Sequence, residues 1–251
     1  MSGLGQIARI GLGTNRLRHT KANVAFIRAA VDAGVQMIDT AHLYTSGESE
    51  ETIGAALSPV PAGCIVATKG GFGGAGHGVP AVLRREIEES LRRLRTERIG
   101  LYYLHRVDPD TPLEESLGAI REYVDRGAIA RVGISEVNVE QIARARRVVP
   151  IAAVQNNYSL AERKHDAVVD YCTAEGITFV PFFPLRGQDG AEVRTIAARH
   201  GATTAQVALA WLLRRSPVML PIPGTLSTAH VQENLAALRV ALSDDEFAAL
   251  R

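Results

Sequence analysis

Four residues whose side chains can move protons follow short apolar runs of the sequence. Asp39 ends the second such run and Tyr44 comes five residues later, Lys69 ends the third run, and His105 ends the fourth. A lysine ammonium paired with a carboxylate would stabilise a tyrosinate and lower the phenol pKa from its usual value of about 10 towards that of a general acid. An imidazole beside it could orient a substrate oxygen. Each residue alone is as easily explained by structure, but the set indicates acid–base chemistry.

Eight short runs rich in β-branched residues alternate with longer amphipathic segments along the chain. This alternation is typical of parallel strands and helices that close into a barrel. In such a barrel the loops after the carboxyl ends of the strands build the site, so the four residues would meet at one mouth. The predicted strands are 7–14, 35–40, 64–69, 99–105, 130–135, 151–156, 178–183 and 218–222.

Several helix ends can be read from their capping residues. Thr20 is a candidate N-cap for a helix that Gly34 ends, and Pro80 stands where its missing N–H costs little at the start of another. Proline and two glutamates open a helix over 112–127, and a capping box at 243–246 opens the last one. These ends place the helices between the predicted strands.

The composition excludes several classes of protein. The 251 residues carry 28 Lys plus Arg against 27 Asp plus Glu, without a strong basic patch, which argues against nucleic-acid binding. Cys64 and Cys172 are the only cysteines, so a reduced, cytoplasmic protein is expected. We expect no signal peptide, no membrane segment and no metal site. Since α/β barrels reach ~250 residues, residues 1–251 are interpreted as a single domain.

The four residues and the sequence motifs around them resemble the catalytic tetrad of the aldo-keto reductases and its surroundings. The resemblance implies a (β/α)8 TIM barrel of the α/β class that reduces an aldehyde or ketone to an alcohol. Tyr44 would donate the proton, tuned by Asp39 and Lys69, while His105 would orient the carbonyl oxygen and reduced nicotinamide would deliver a hydride. The matching motifs are Asp39-Thr40-Ala41-His42-Leu43-Tyr44, Ala67-Thr68-Lys69 and Leu104-His105, with Glu50 and Gly54 in the helix that follows the first motif.

No G-x-G-x-x-G fingerprint follows a strand, so a nicotinamide cofactor would be held without a Rossmann loop. The resemblance implies a cofactor extended across the barrel mouth, with NADP(H) favoured and NAD(H) as the alternative. Gly224 and His230 stand where many members carry the Lys and Arg that bind the 2′-phosphate. The residues that the resemblance assigns to the cofactor are Thr14, Asn15, Ser135, Gln155, Phe182, Pro184, Leu185, Gly224, Thr225, Ser227, His230, Glu233 and Asn234.

Two loop residues, His42 and Phe72, are candidate substrate contacts because they lie where the barrel mouth is expected. Short loops predict an open pocket with loose selectivity among carbonyl substrates. Two other functions stay open at this point. Lys69 could form a Schiff base in a barrel lyase or aldolase, or the chain could be a regulatory or sensor subunit that binds nicotinamide with little turnover.

Overall fold

Seven parallel strands lie side by side in chain order within residues 3–250, the part of the chain described by this computed structural model. Every neighbouring pair is parallel, as the alternation of strands and helices predicts. The strands are β1 Leu12–Gly13, β2 Met37–Asp39, β3 Ile65–Gly70, β4 Leu101–Leu104, β5 Val132–Ser135, β6 Ile151–Gln155 and β7 Thr178–Phe179.

Helices connect and cover these strands. None of the helices within residues 3–250 combines the length and the apolar character that crossing a membrane requires. Short 3₁₀ helices occupy Tyr44–Gly47 and Ala237–Arg239. The α-helices are α1 Lys21–Asp32, α2 Glu48–Leu57, α3 Pro80–Leu94, α4 Leu113–Asp125, α5 Val139–Ala145, α6 Asp166–Glu175, α7 Ala191–His200, α8 Thr204–Arg215, α9 Thr228–Ala236 and α10 Asp244–Ala249.

The predicted helix ends are found at their capping residues. The Thr20 side chain accepts a hydrogen bond from the first turn of α1, and Gly34 follows that helix with a left-handed φ of 107°. Pro80 takes the first position of α3. Ser243 and Glu246 form the reciprocal capping box of α10. Local sequence therefore determines where these helices begin and end.

The segment 218–224 reaches both edges of the sheet without being a regular strand. On one side Phe179 of β7 pairs with Met219, and on the other Gly13 of β1 pairs with Gly224, each as an isolated parallel bridge. The structure therefore supports an α/β barrel fold. The prediction of eight strands is not confirmed, since seven are formed within residues 3–250.

Two prolines explain why this segment makes so few ladder hydrogen bonds. The carbonyls of Pro221 and Pro223 accept from the amides of Gly11 and Gly13 at 2.9 and 3.2 Å. Neither proline has an N–H to donate in return, so a continuous ladder cannot form there. Pattern alone marks the segment as apolar and extended, but the prolines limit its pairing.

Successive side chains of a strand point to opposite faces, which separates the barrel interior from the helix-facing layer. In β3, Ile65 and Ala67 belong to the interior cluster, whereas Val66 packs with the outer core. The Thr68 hydroxyl points outward and donates to Glu50 of α2 at 2.6 Å. The same alternation turns the next residue, Lys69, inward.

The barrel interior has an apolar floor and a polar upper layer. Leu4 closes the lower end, where it is 4% exposed and its amide donates to the Thr178 hydroxyl at 3.2 Å. Tyr103 fills the space beside Gly133, where a β carbon would lie only 2.4 Å from the ring. Further floor residues are Met37, Ile65, Ala67, Leu101, Ala153, Val180 and Leu220. One inward position further along, the strands present Asp39, Lys69, His105, Ser135 and Gln155, all of which are buried.

Candidate active site

A buried ion pair stands in the polar layer of the barrel. Lys69 Nζ lies 2.5 Å from Asp39 Oδ1 and donates to the Thr40 carbonyl at 2.6 Å. Gln155 Nε2 donates to the other Asp39 oxygen at 2.8 Å. Neither charged side chain is more than 2% exposed. Burying two charges is costly, and hydrogen bonds that satisfy their remaining atoms offset that cost.

Burial and pairing act in opposite directions on this pair. Burial disfavours the ammonium of Lys69, but Asp39 and Tyr44 together raise the pKa of Lys69 above its ordinary value. Burial raises the pKa of the Asp39 carboxyl, while Lys69 and Gln155 lower it. Lys69 is therefore a fixed positive charge inside the barrel at neutral pH.

Tyr44 lies against this charge at the mouth of the barrel. Lys69 Nζ is 5.0 Å from the centroid of the Tyr44 ring. The Tyr44 and His105 rings meet edge to face with centroids 6.1 Å apart. The structure thus brings Asp39, Tyr44, Lys69 and His105 together, as the strand-end argument predicts.

The chain after Tyr44 makes a tight left-handed turn. Thr45, Ser46 and Gly47 have φ values of 48°, 57° and 96°. The left-handed φ of Gly47 favours glycine there, and the end of the Arg93 side chain packs over it, 2.6 Å from where a β carbon would lie. Left-handed residues other than glycine persist only where their surroundings hold them. The turn therefore fixes the backbone next to Tyr44.

His42 faces helix α3 rather than the ion pair. Its Nε2 lies 2.7 Å from Glu89 Oε2 and its Nδ1 lies 3.9 Å from Glu86 Oε1. Arg93 donates to the His42 carbonyl at 3.2 Å and lies 3.4 Å from Glu89. The imidazole belongs to a charged cluster behind the site, and the structure does not bring it to the Tyr44 ring. Its role as a substrate contact stays a prediction.

His105 is neutral in this environment. Burial, together with the cations of Lys69 and Arg106, lowers the pKa of His105 to about 2. Its Nδ1 is buried without a hydrogen-bond partner among residues 3–250, so Nε2 is the ring nitrogen left for a ligand. The Phe72 ring packs against the imidazole with centroids 4.7 Å apart and is itself 44% exposed. Phe72 therefore forms part of the wall beside His105.

Arg106 reaches from the end of β4 to the end of β5. Its Nη1 donates to the His105 carbonyl at 2.6 Å and to the Ser135 hydroxyl at 3.1 Å. The guanidinium carbon lies 5.3 Å from the Phe72 ring centroid and 5.9 Å from that of Phe182. Ser135, a predicted cofactor contact, is thus held by a cation on the same rim.

A groove of about 810 Å³ lies at the mouth beside β1. Its volume falls within the range of about 300–1,000 Å³ found for ligand and cofactor pockets. Arg16 and Arg186 also line it. The predicted cofactor residues in its lining are Thr14, Asn15, Phe182, Pro184, Leu185 and Gly224.

Five further predicted cofactor residues lie at or near helix α9. Ser227 caps the helix by accepting from the His230 amide at 3.4 Å, and Thr225 Oγ1 accepts from the Ser227 amide at 3.0 Å. Glu233 accepts from the N-cap hydroxyl of α8 at 2.7 Å, and Asn234 is 7% exposed. Thr225, Ser227 and His230 thus lie at the N-terminus of α9, whereas Glu233 is hydrogen-bonded to α8 and Asn234 is buried.

Comparison with known proteins agrees with this arrangement. The profile of the Aldo/keto reductase family matches residues 9–189 and 186–251. The chain belongs to the aldo/keto reductase family. It is an oxidoreductase. The family predicted from the sequence motifs around Asp39, Lys69 and His105 is confirmed.

Three relatives illustrate the similarity of this aldo/keto reductase to known proteins. An uncharacterized oxidoreductase of Schizosaccharomyces pombe is 36% identical over 97% of this chain and 86% of its own. Pyridoxine 4-dehydrogenase of Escherichia coli is 36% identical over 98% of this chain and 91% of its own. An aldo/keto reductase from Klebsiella pneumoniae, solved with NADP and acetate, is 32% identical with a TM-score of 0.87, covering 97% of this chain and 90% of that one.

Three site features of this aldo/keto reductase are not evident from the sequence. The Thr40 carbonyl that accepts from Lys69 carries no side-chain signal. The hydrogen bond from Arg93 to the His42 carbonyl joins residues far apart in the chain. Arg106 directly follows His105, and that position is the one signal that could have drawn attention to it.

Proposed function

We propose that this chain reduces an aldehyde or ketone to an alcohol, with Tyr44 as the proton donor. The observation that carries the proposal is the buried Lys69 ammonium, hydrogen-bonded to Asp39 and 5.0 Å from the Tyr44 ring. A fixed positive charge stabilises a phenolate more than a phenol, so it favours departure of the Tyr44 proton. That is the requirement for protonating a carbonyl oxygen as it becomes an alkoxide.

His105 would orient the carbonyl. Because its pKa lies far below neutrality, the ring donates a hydrogen bond as a neutral imidazole and does not compete with Tyr44 as the acid. Its unpartnered Nδ1 is buried, which leaves Nε2–H to the substrate oxygen. Tyr44 and His105 would then hold the same oxygen from two sides, which stabilises the negative charge that develops there.

The groove fits an extended dinucleotide. When bound, reduced nicotinamide supplies the hydride. Phe182 lines the groove with an aromatic ring that can stack on the nicotinamide, and Thr14, Asn15 and Gly224 also line it. The amides and cap of α9 at Thr225 and Ser227 suit a phosphate, because a helix N-terminus carries free N–H donors.

NADP(H) is the favoured cofactor in this proposal. The Klebsiella pneumoniae neighbour is solved with NADP. In this chain, two hydroxyls and the exposed His230 ring stand at the start of α9, where they can hold a 2′-phosphate in place of the expected Lys and Arg. Arg16 and Arg186 add positive charge along the groove.

The mouth of the barrel is open enough for a range of carbonyl compounds. Phe72 and Phe183 are 44% and 48% exposed at its rim. Eleven residues, 180–190, connect β7 to α7 and contain neither a helix nor a strand. We therefore propose low selectivity among substrates of similar shape, and one sharply preferred compound among close neutral analogues would contradict this.

The test is oxidation of NADPH over a panel of aldehydes and ketones, with Tyr44→Phe as the key variant. Loss of a general acid typically costs about 100- to 10,000-fold in rate, so kcat should fall by that factor while NADPH binding is retained. Tyr171→Phe removes a hydroxyl that contacts Arg146 on α5–α6, far from the site, and serves as the matched control.

Each outcome of that panel has a definite meaning. Activity that survives Tyr44→Phe shows that the acid is another group. Binding of NADPH without turnover of any panel member favours a sensor subunit. A borohydride-trapped adduct at Lys69 favours a Schiff-base enzyme, although the ammonium is fully buried and committed to Asp39 and Thr40.

A further inference from the structure

Arg106 is an uncompensated cation beside the reactive pair. Within residues 3–250 its hydrogen bonds are the two that Nη1 makes, to the His105 carbonyl and the Ser135 hydroxyl. Its Nε and Nη2 have no hydrogen-bond partner there, and neither atom is fully buried. Two donors of the guanidinium are therefore free to bind a ligand.

The surrounding charges do not neutralise Arg106. Burial lowers the pKa of this guanidinium, while Glu136 and Tyr44 act against that effect. The Glu136 carboxylate is itself committed, because it accepts from the Asn157 amide at 2.6 Å and faces Lys164 and His165 at 3.7 Å. A half-buried cation without a paired anion is held at a cost that a bound anion would relieve.

Arg106 stands next to the groove without lining it, since its guanidinium carbon lies 5.9 Å from the ring centroid of the lining residue Phe182. Phe72 and Ser135, its neighbours on the rim, follow β3 and end β5. The groove is lined by residues of β1, of the segment after β7 and of 222–224, and Arg106 is not among them. Arg106 thus stands between the groove and the part of the mouth that Phe72 borders, next to the backbone of His105.

We propose that Arg106 binds an anionic group of the substrate, so that this reductase prefers carbonyl compounds that carry a carboxylate or a phosphate. The guanidinium presents a planar fork of donors that matches both oxyanions. The exposed Phe72 ring beside it covers the carbon skeleton between the anion and the carbonyl. This inference rests on the proposed carbonyl reduction and names its substrate class.

The experiment compares matched pairs of probes in wild-type enzyme and in Arg106→Met, which keeps the chain length and removes the charge. The probes are 4-carboxybenzaldehyde against 4-nitrobenzaldehyde, and glyceraldehyde 3-phosphate against glyceraldehyde. Because intrinsic reactivities cancel in the ratio of variant to wild type, only binding differences remain. A hydrogen bond to a charged group predicts that kcat/KM for each anionic probe falls about 10- to 100-fold further than kcat/KM for its neutral partner.

Two further variants separate charge from structure. Arg106→Lys should recover part of the preference for anions because it restores the positive charge. Arg126→Met removes an arginine that stacks on Tyr123 at 3.9 Å on α4, away from the mouth, and controls for the change in net charge. Added salt should weaken turnover of the anionic probes by the wild type more than that of the neutral ones.

Four results would overturn the assignment. An equal loss for anionic and neutral probes in Arg106→Met assigns the arginine to holding Ser135 and His105. A weaker Kd for NADPH in that variant, with no change in probe preference, assigns it to the cofactor. Turnover of neutral probes without any anionic preference refutes the substrate class alone, whereas no turnover of any probe refutes the proposed reduction and this inference with it. The carboxylate and phosphate pairs show which oxyanion is bound.

Discussion

Replacement of Asp39 by asparagine tests whether the buried ion pair is the central electrostatic element of the barrel. The change removes the charge opposite Lys69 and leaves a nearly isosteric amide. Gln155 and Lys69 each donate to one carboxylate oxygen, so an amide can accept from one of them and not from both. Breaking a buried pair by removing one partner costs about 3–5 kcal/mol. That amount is a large share of the about 5–15 kcal/mol that keeps a typical domain folded.

The assay is equilibrium urea unfolding of wild type and Asp39→Asn, followed by tryptophan fluorescence of the buried Trp211. Asp39→Asn together with Lys69→Met should be more stable than Asp39→Asn alone, because no unpaired charge remains. Glu122→Gln breaks an exposed pair with Arg84 of similar length, 2.7 Å, and should leave the midpoint unchanged.

The pH dependence of the variant gives a second, independent reading. In the wild type the pKa of Lys69 is raised, so its stabilisation is present below the unfolded value of about 10.4 and is lost above the folded value. Without Asp39, burial lowers that pKa below the unfolded value, and the unfolded chain then binds more protons. The stability of Asp39→Asn should therefore rise from pH 7 towards about pH 10. A deficit under about 1 kcal/mol, or one that does not shrink with pH, would refute the ion-pair account.

Two further predictions concern the barrel interior. Because burial lowers the pKa of His105 to about 2, its contribution to stability is present above the unfolded value of about 6.5 and is lost as the pH falls below it. Between pH 6 and pH 5, urea unfolding should show that the wild type loses about 1.2 kcal/mol more of its free energy of unfolding than His105→Gln does, and equal losses would contradict the neutral imidazole. Gly133→Ala should destabilise by about 1–3 kcal/mol through its clash with Tyr103, whereas Gly118→Ala in α4, where nothing lies within 4 Å, should stabilise by about 0.5–1 kcal/mol. Thermal unfolding of the two glycine variants measures whether each change raises or lowers Tm. An unchanged Tm in Gly133→Ala would show that the residues of the floor can rearrange to accept the methyl group.

The sequence predicts the position of the tetrad because strand periodicity determines the direction of each side chain. Met37 and Asp39, like Ala67 and Lys69, are two residues apart and so share the inward face. The mouth position then follows from the last residue of each strand. Caps such as Thr20 and Ser243 are equally local, which is why these helix starts are predicted correctly.

Orientation set by distant partners is less predictable. His42 lies in the family-like motif that ends at Tyr44, but its ring pairs with Glu89 on α3 and so points away from the barrel. The Gln155 amide, expected at the cofactor, donates to Asp39 from the other side of the barrel. No local pattern encodes such long-range hydrogen bonds. The prolines of 218–224 likewise lie in an apolar run whose composition resembles a strand while its missing N–H groups prevent one.

Because an apolar floor lies beneath the polar layer, solvent reaches that layer from the mouth of the barrel. Met37, Leu101 and Tyr103 separate the Lys69 ammonium from the lower face, which Leu4 covers. A proton taken from Tyr44 in one catalytic cycle would therefore be replaced from the mouth, past the rim formed by Phe72 and His105. Substrate entry and reprotonation of Tyr44 would both take place through the mouth. A bulky product that dissociates slowly would therefore delay both the binding of the next substrate and the reprotonation of Tyr44.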